Sequence, residues 1–423
     1  MTGNQPGSGT QPGVVIPFYV TGALAFTVLC VLLLFSAESL TGHYFNPHLL
    51  SIVHTAALGW GTMIIFGAAY QLIPVISERE LYSPPLALFT WYTLTAGTIL
   101  LVYSFWDFTA GNLMIGGASL LVISILGYSI NVVKTVRSHK RDGIVWLFLL
   151  SSSLWLLFTA VVGLLLAINL AHPFFERNHL EILKLHAHAG LAGWFLQLIV
   201  GVSARLVPMF LLGKSQKDRF LHVAFVLQNA GLILFLADGY FVQIVPIRVV
   251  FYALLLTAGV ACWLYYIYDT LRNRMRKKID DQMKHTLTSF GFLAGALLLL
   301  PLVVHQQDHR WVMLYGSLLF MGWITGILLG KTFKTLPFIV WNMHYKDLTG
   351  KQSVPVPGRL YHESLIQWQY RIFLTALGIL IGGIISQLTW LIKVAAGIWV
   401  VLSLVYLYNV LRVVLHNQKL WKH

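Results

Sequence analysis

Twelve stretches of this chain are apolar for long enough to cross a membrane, and they leave little else to build with. A hydrocarbon core about 30 Å thick takes roughly 20 helical residues per crossing, and lipid forces each span to satisfy its own backbone polar groups. The runs fall at 14–37, 47–75, 84–106, 111–134, 144–170, 181–212, 219–240, 245–268, 286–305, 311–341, 367–388 and 390–415. With 57% of the 423 residues apolar and 10% charged, no separate soluble domain fits in the connections. The expected fold is all-α, a polytopic membrane protein of twelve transmembrane helices. Residues 1–13, MTGNQPGSGTQPG, hold no Lys or Arg and read as a disordered lead, since a secretory leader needs a basic start. Residues 14–415 then form a single transmembrane domain, and 416–423 a cytoplasmic tail.

Cations set the orientation. KTVRSHKRD, GKSQKDR, TLRNRMRKKIDDQMKH, KDLTGKQSVPVPGR and NQKLWKH follow the fourth, sixth, eighth, tenth and twelfth runs, while the opposite loops hold little beyond Arg177, Lys184, Arg248, Arg310 and Lys393. By the positive-inside rule both termini are cytoplasmic, and a bacterial inner membrane is the expected location. The net charge of +14 is mostly this topology signal, with anionic lipid head groups as its natural partner. The basic runs are short and lack interleaved aromatics, which argues against nucleic acid.

Three runs share one pattern. The second reads HTAALGWGTMIIFGAAYQLIP from His54, the sixth HAGLAGWFLQLIVGVSARLVP from His188, and the tenth SLLFMGWITGILLGKTFKTLP from Ser317. Trp60, Trp194 and Trp323 align, as do Gly67, Gly201 and Gly330, then Pro74, Pro208 and Pro337. The third, seventh and eleventh runs share Gly97, Gly231 and Gly378. The tryptophans are 134 and then 129 residues apart, so the chain reads as three pseudo-repeats of four helices, about 14–141, 142–278 and 286–415. Such repeats speak against the two-halved plan of common secondary transporters. The stripe itself reads as helix packing, because small residues let backbones approach.

The histidines carry the chemistry. Cys30 and Cys262 both lie within apolar runs, so a metal here must be held by some of the 16 histidines. His54 and His188 each stand seven residues into an aligned run, about 10 Å deep at 1.5 Å per residue. Two imidazoles at one depth suit one flat ligand, and neutral imidazole is the usual protein ligand of heme iron. His186 lies two residues before His188, about 200° around the helix, so it faces elsewhere: toward a second heme, a copper or a plain hydrogen bond. His305, His309, His172 and His179 are outer-side candidates for a second metal site, though loop histidines are ordinarily solvated. Arg310, Arg177 and Lys184 can pair with heme propionates or simply anchor the interface.

These features together resemble subunit I of the heme-copper oxidase superfamily. HAHAGLAGWFLQLIVGVSARLVP is similar to the His-x-His heme helix of cbb3-type oxidases and nitric oxide reductases, and to the membrane heme proteins called NnrS. The resemblance implies that His54 is an axial ligand of a low-spin heme b. In that family the His-x-His stands on the tenth helix, where this chain has Tyr315 and Ser317, and the copper site draws on the outer end of helix seven, here LFLADGYFVQIV. A copper centre of the family's type is therefore not expected.

The expected cofactor is heme b, one or two, with His54, His188 and His186 as metal ligands and Arg310 beside them. The expected function is electron transfer, or the binding and reduction of a small gas such as O2 or NO, with a redox partner subunit. A non-catalytic heme sensor or assembly subunit, and a transporter without heme, stay open. No CxxCH occurs, so covalent c-type heme is not expected. Among other polar residues, Arg205 is expected to snorkel, and Gln228, Asn229 and Asp238 form a water route or a packing network. The 342–366 connection, with Pro355 and Pro357, reads as a partner contact or an untethered loop.

Overall fold

A computed structural model describes residues 10–137, 143–242, 245–306 and 308–417. Most of the expected lead (1–9), part of the first basic connection (138–142) and most of the tail (418–423) lie outside these described residues. Among them, twelve helices are long and apolar enough to cross a membrane: α1 (Pro12–Phe35), α2 (Pro47–Ser77), α3 (Pro84–Trp106), α4 (Asn112–Val136), α5 (Ile144–Ala171), α6 (His179–Leu211), α7 (Asp218–Phe241), α8 (Pro246–Arg272), α9 (Asp281–His305), α10 (His309–Leu348), α11 (Glu363–Ser386) and α12 (Thr389–Val414). The described residues contain no strand, only one isolated bridge between Thr349 and Gln352. Large apolar side chains such as Leu154, Val226, Leu254 and Trp390 are exposed, as lipid-facing residues are. The chain is an all-helical integral membrane protein.

Local chemistry starts the helices where the sequence allows. Proline occupies the first turn of α1, α2, α3 and α8, where its missing N–H costs nothing. Asn46, Ser83, Asn178 and Asp308 accept backbone N–H groups at the starts of α2, α3, α6 and α10. At the N-terminus, Thr10 is buried and its hydroxyl donates to the Tyr70 carbonyl.

The helices of the expected 14–415 domain group into two compact units. The first falls within Met1–Phe108, Asp280–Ala296 and Asp308–His423, which takes in α1–α3, most of α9 and α10–α12. The second, within Thr109–Ile279 and Leu297–Gln307, takes in α4–α8 and the end of α9. This grouping does not follow the repeat boundaries read from the sequence, because α4 joins the helices of the middle segment.

Within each unit the aligned glycines sit at helix contacts. A methyl group on Gly67 would stand 2.8 Å from the Cβ of Phe18 in α1, and one on Gly201 would stand 2.6 Å from the Cβ of Phe148 in α5. On Gly330 it would stand 2.9 Å from the Cβ of His285 in α9. Gly59, Gly193 and Gly322 meet Ala25, Trp155 and Phe292 of the same three partner helices at 3.1, 2.7 and 2.9 Å. On the partner helices these contacts are seven residues apart, which is two α-turns; on the glycine helices they are eight apart. The extra residue is absorbed by π-helix at Thr55–Thr62, Ala189–Leu196 and Leu318–Ile324, where each turn takes up about one residue more. Trp60, Trp194 and Trp323 all lie inside these π stretches and are fully buried. In the first unit Trp60 stacks on Phe26 at 4.5 Å and donates Nε1–H to Thr325 Oγ1 at 3.1 Å. In the second, Trp194 meets Tyr128 edge-on at 5.9 Å.

The 342–366 connection is tied down. Trp341 donates its indole N–H to the Pro355 carbonyl, Leu360 is buried, and the His362 N–H donates to Asn409 Oδ1 of α12 at 3.0 Å.

Candidate functional site

His54 and His188 share one local geometry, each in its own unit. The caps at Asn46 and Asn178 fix the starts of α2 and α6, and each histidine closes the α-helical first part of its span just before the π stretch. His54 Nδ1–H donates to the Leu50 carbonyl at 2.7 Å, and His188 Nδ1–H to the Lys184 carbonyl at 2.8 Å, both four residues back. A carbonyl oxygen only accepts, so Nδ1 carries the hydrogen and Nε2 of the neutral ring carries the lone pair. That is the tautomer a metal-ligating imidazole needs, with its other nitrogen oriented by a carbonyl. Each ring also rests on a phenylalanine of the next helix: His54 on Phe105 of α3 at 4.6 Å, and His188 on Phe235 of α7 at 5.1 Å.

His186 faces another way, as the helical rotation requires. Its Nδ1 lies 3.0 Å from the Thr159 carbonyl of α5, and its ring is so close to α5 that a methyl group on Gly163 would stand 2.9 Å from Cε1. Its Nδ1–H donates to that carbonyl, which docks α6 on α5 and leaves Nε2 as the lone-pair nitrogen, as in His54 and His188. The setting is the apolar cluster of Leu166, Ile182, Leu185, Ala189, Leu232 and Leu236 contributed by α5, α6 and α7.

Arg310 is engaged at the start of α10. Its Nε donates to Asp308 Oδ2 at 2.9 Å and its Nη1 reaches the Ile385 carbonyl at 3.4 Å. The Arg310 backbone N–H, and then its guanidinium, hold the Asp308 carboxyl below the usual carboxylate range. Of the outer histidines, His179 Nδ1 lies 3.1 Å from the Asn169 side-chain amide, and His309 meets the His43 ring edge-on at 4.6 Å. Among the described residues no three His, Cys, Asp or Glu side chains gather as a metal-binding group.

Of the polar residues of α7, Asn229 and Asp238 have packing partners, while Gln228 accepts from Gln197 Nε2 at 3.4 Å. Asn229 Oδ1 accepts from Ser151 Oγ at 3.1 Å and Trp155 Nε1 at 2.9 Å, and Asn229 Nδ2 donates to Gln197 Oε1 at 3.3 Å. Asp238 pairs with Arg248 at 3.3 Å. Arg205 is exposed.

A polar group in α9–α11 escaped the sequence reading. His285 is fully buried and stands 3.2 Å, Nε2 to Nε2, from Gln369 of α11, while Lys331 Nζ lies 3.2 Å from Met283 Sδ. For Lys331 the signal was available, since it lies inside the 311–341 run and ionisable residues there are costly unless used; His285 stands just outside the 286–305 run. His285 also occupies the contact held by phenylalanine in the other two glycine-helix pairs.

No protein-family model matches the chain, and no curated protein matches it.

Proposed function

We propose that this chain is a heme b-binding integral membrane protein of the heme-copper oxidase subunit I type, with His54 and His188 as axial ligands. The observation that carries the reading is their shared geometry: Nδ1–H held by the carbonyl four residues back, Nε2 left as the lone-pair nitrogen, and a π stretch directly after. The donor set fits heme iron, which takes neutral imidazole nitrogen and draws on a second hydrogen bond to orient it. Heme b, when bound, supplies an iron that carries an electron or takes a small gas such as O2 or NO. The chain's own part is to orient two rings against Phe105 and Phe235 and hold each tautomer in place. His186 makes the same kind of bond, Nδ1–H to the Thr159 carbonyl, so its Nε2 is also a lone-pair nitrogen and can serve as a ligand for a second group, while Arg310 stands paired with Asp308.

The same reading takes the chain as three pseudo-repeats, which the shared seven-on-eight glycine register and the three π stretches support. It places both termini in the cytoplasm and calls for a redox partner subunit.

The test is the visible spectrum of detergent-purified protein, oxidised and dithionite-reduced, with a pyridine hemochrome assay, for wild type, His54→Ala and His188→Ala. A reduced α-band in wild type that is lost or shifted in both variants is expected. A carbon monoxide shift would favour gas chemistry over electron transfer. Protein that stays colourless after expression with ample heme overturns the proposal.

A further inference from the structure

The group in α9–α11 stands apart from the heme reading and does not rest on it. Gln369 Nε2 donates to the Leu329 carbonyl at 3.3 Å, which fixes which end of its amide is nitrogen. The same nitrogen therefore donates to His285 Nε2, at 3.2 Å, and the hydrogen of the neutral ring lies on Nδ1. His285 Nδ1 and Gln369 Oε1 are both buried and have no hydrogen-bond partner among the described residues, and both residues are 0% exposed. One is a donor that needs an acceptor, the other an acceptor that needs a donor. Water offers both at once, and buried unmatched polar groups in native proteins are ordinarily bridged by it.

The neighbours give a polar way in. Asp280, at the start of α9, pairs with Lys334 of α10 where both side chains are partly exposed. One turn deeper, Lys331 Nζ reaches Met283 Sδ, and Gln282 donates to the Tyr361 hydroxyl at 2.7 Å. His285 follows on the next turn, pressed against Gly330. In the two other glycine-helix pairs the corresponding contact is Phe18 or Phe148, which satisfies the packing with no polar atom. Packing therefore does not call for a histidine at this position.

We propose that His285 and Gln369 form a water-binding site inside the first unit, reached by water from the Asp280–Lys334 end of α9 and α10.

The test uses single-cysteine proteins, His285→Cys, Phe18→Cys and Phe148→Cys, in a background with Cys30→Ala and Cys262→Ala, reconstituted in lipid vesicles. The probe is 2-aminoethyl methanethiosulfonate, a small water-borne thiol reagent. His285→Cys is expected to react at least tenfold faster than the two phenylalanine-site variants; equal rates overturn the proposal. Should His285→Cys not fold, deuterium exchange at the imidazole C2 position of wild-type protein, read by mass spectrometry, decides the matter. Exchange at His285 within days, beside the exposed His172, supports the site, and its absence overturns it. Both readouts are independent of heme, so colourless protein would sink the heme reading and leave this one standing.

Discussion

Replacing Gly330 with alanine is the sharpest probe of how these helices pack. The added methyl would press on the Gln282 carbonyl oxygen and stand 2.9 Å from the His285 Cβ, so one neighbour is backbone and the other is one bond from it. Neither rotates away, and relief requires α9 and α10 to part along their length. Overpacking a well-filled contact costs about 1–3 kcal/mol, and a backbone neighbour puts this case near the top, about 3 kcal/mol. Gly378→Ala is the matched control, because among the described residues no atom beyond its own stretch of helix lies within 4 Å of a methyl group there; it should fall within about 0.5 kcal/mol of wild type. Gly201→Ala, against the Phe148 Cβ at 2.6 Å, should behave like Gly330→Ala. Equilibrium unfolding in detergent, followed by tryptophan fluorescence, measures all three. Gly330→Ala as stable as Gly378→Ala would refute the close-packed register and the account of the π stretches that depends on it.

Other perturbations test individual contacts. Trp60→Phe removes the donor to buried Thr325 Oγ1 and should cost about 1–3 kcal/mol in the same unfolding assay, whereas Trp91→Phe, whose partner Thr21 is only partly buried, should cost less. Gly163→Ala should push the His186 ring off α5 and lower stability without moving the reduced heme spectrum; a moved spectrum would make His186 an iron ligand. Because the Asp308 carboxyl lies below its ordinary value, its contribution is present above the ordinary carboxylate range and lost as pH falls through the lowered one. Asp308→Asn should therefore be less stable than wild type at pH 6, by an amount that shrinks as pH falls below the ordinary carboxylate range. His416 is also lowered, by burial first and then by His344 and Arg412, so its neutral form is favoured beside the Tyr345 hydroxyl at 2.7 Å and that stabilisation is lost on acidification below the ordinary histidine range. Amide protection at the end of α12, measured relative to the intrinsic exchange rate, should fall between pH 7 and pH 5 in wild type, and not in His416→Gln.

The twelve spans were legible because lipid leaves a helix no alternative and lets only its length vary; the boundaries read from the sequence mostly lie within a few residues of the observed ones. The glycine stripe was legible as packing, yet its eight-residue spacing carries the π-helix, and no composition rule in the sequence announces that. Gly378 shows the limit of alignment: it shares a position with Gly231, whose methyl would meet the Tyr252 carbonyl at 2.9 Å, but has open space itself. The depth of His54 and His188 could be counted along the helix, while their tautomer depends on side-chain rotamers that bring Nδ1 back onto a carbonyl. His285 was missed because a histidine near the start of an apolar run looks like a helix end, and its partner Gln369 is 84 residues away.

Polar groups are distributed unevenly over one apolar frame, and the frame explains how that is possible. In the α1–α2 and α5–α6 pairs the inner glycine meets phenylalanine, and the polar residue stands at the π-helix boundary as His54 or His188. In α9–α10 the boundary residue is Ser317, and histidine stands at the inner contact instead. The glycine registers fix the approach of each pair through backbone and Cβ positions, so the ring beyond Cβ is free to change from benzyl to imidazole without moving a helix. A polar ring in that position is nonetheless costly in a dry interior, and selection retains such a cost only where the group is used. Exchanging the two arrangements therefore separates frame from chemistry. A Phe18→His protein should keep the α1–α2 packing and gain a buried imidazole, whereas His285→Phe should keep the α9–α10 packing, lose the acceptor of Gln369 Nε2 and cost well under the Gly330→Ala value. If His285→Phe were instead destabilised by as much as Gly330→Ala, the imidazole would be part of the frame, and the division between packing and polar function drawn here would fail.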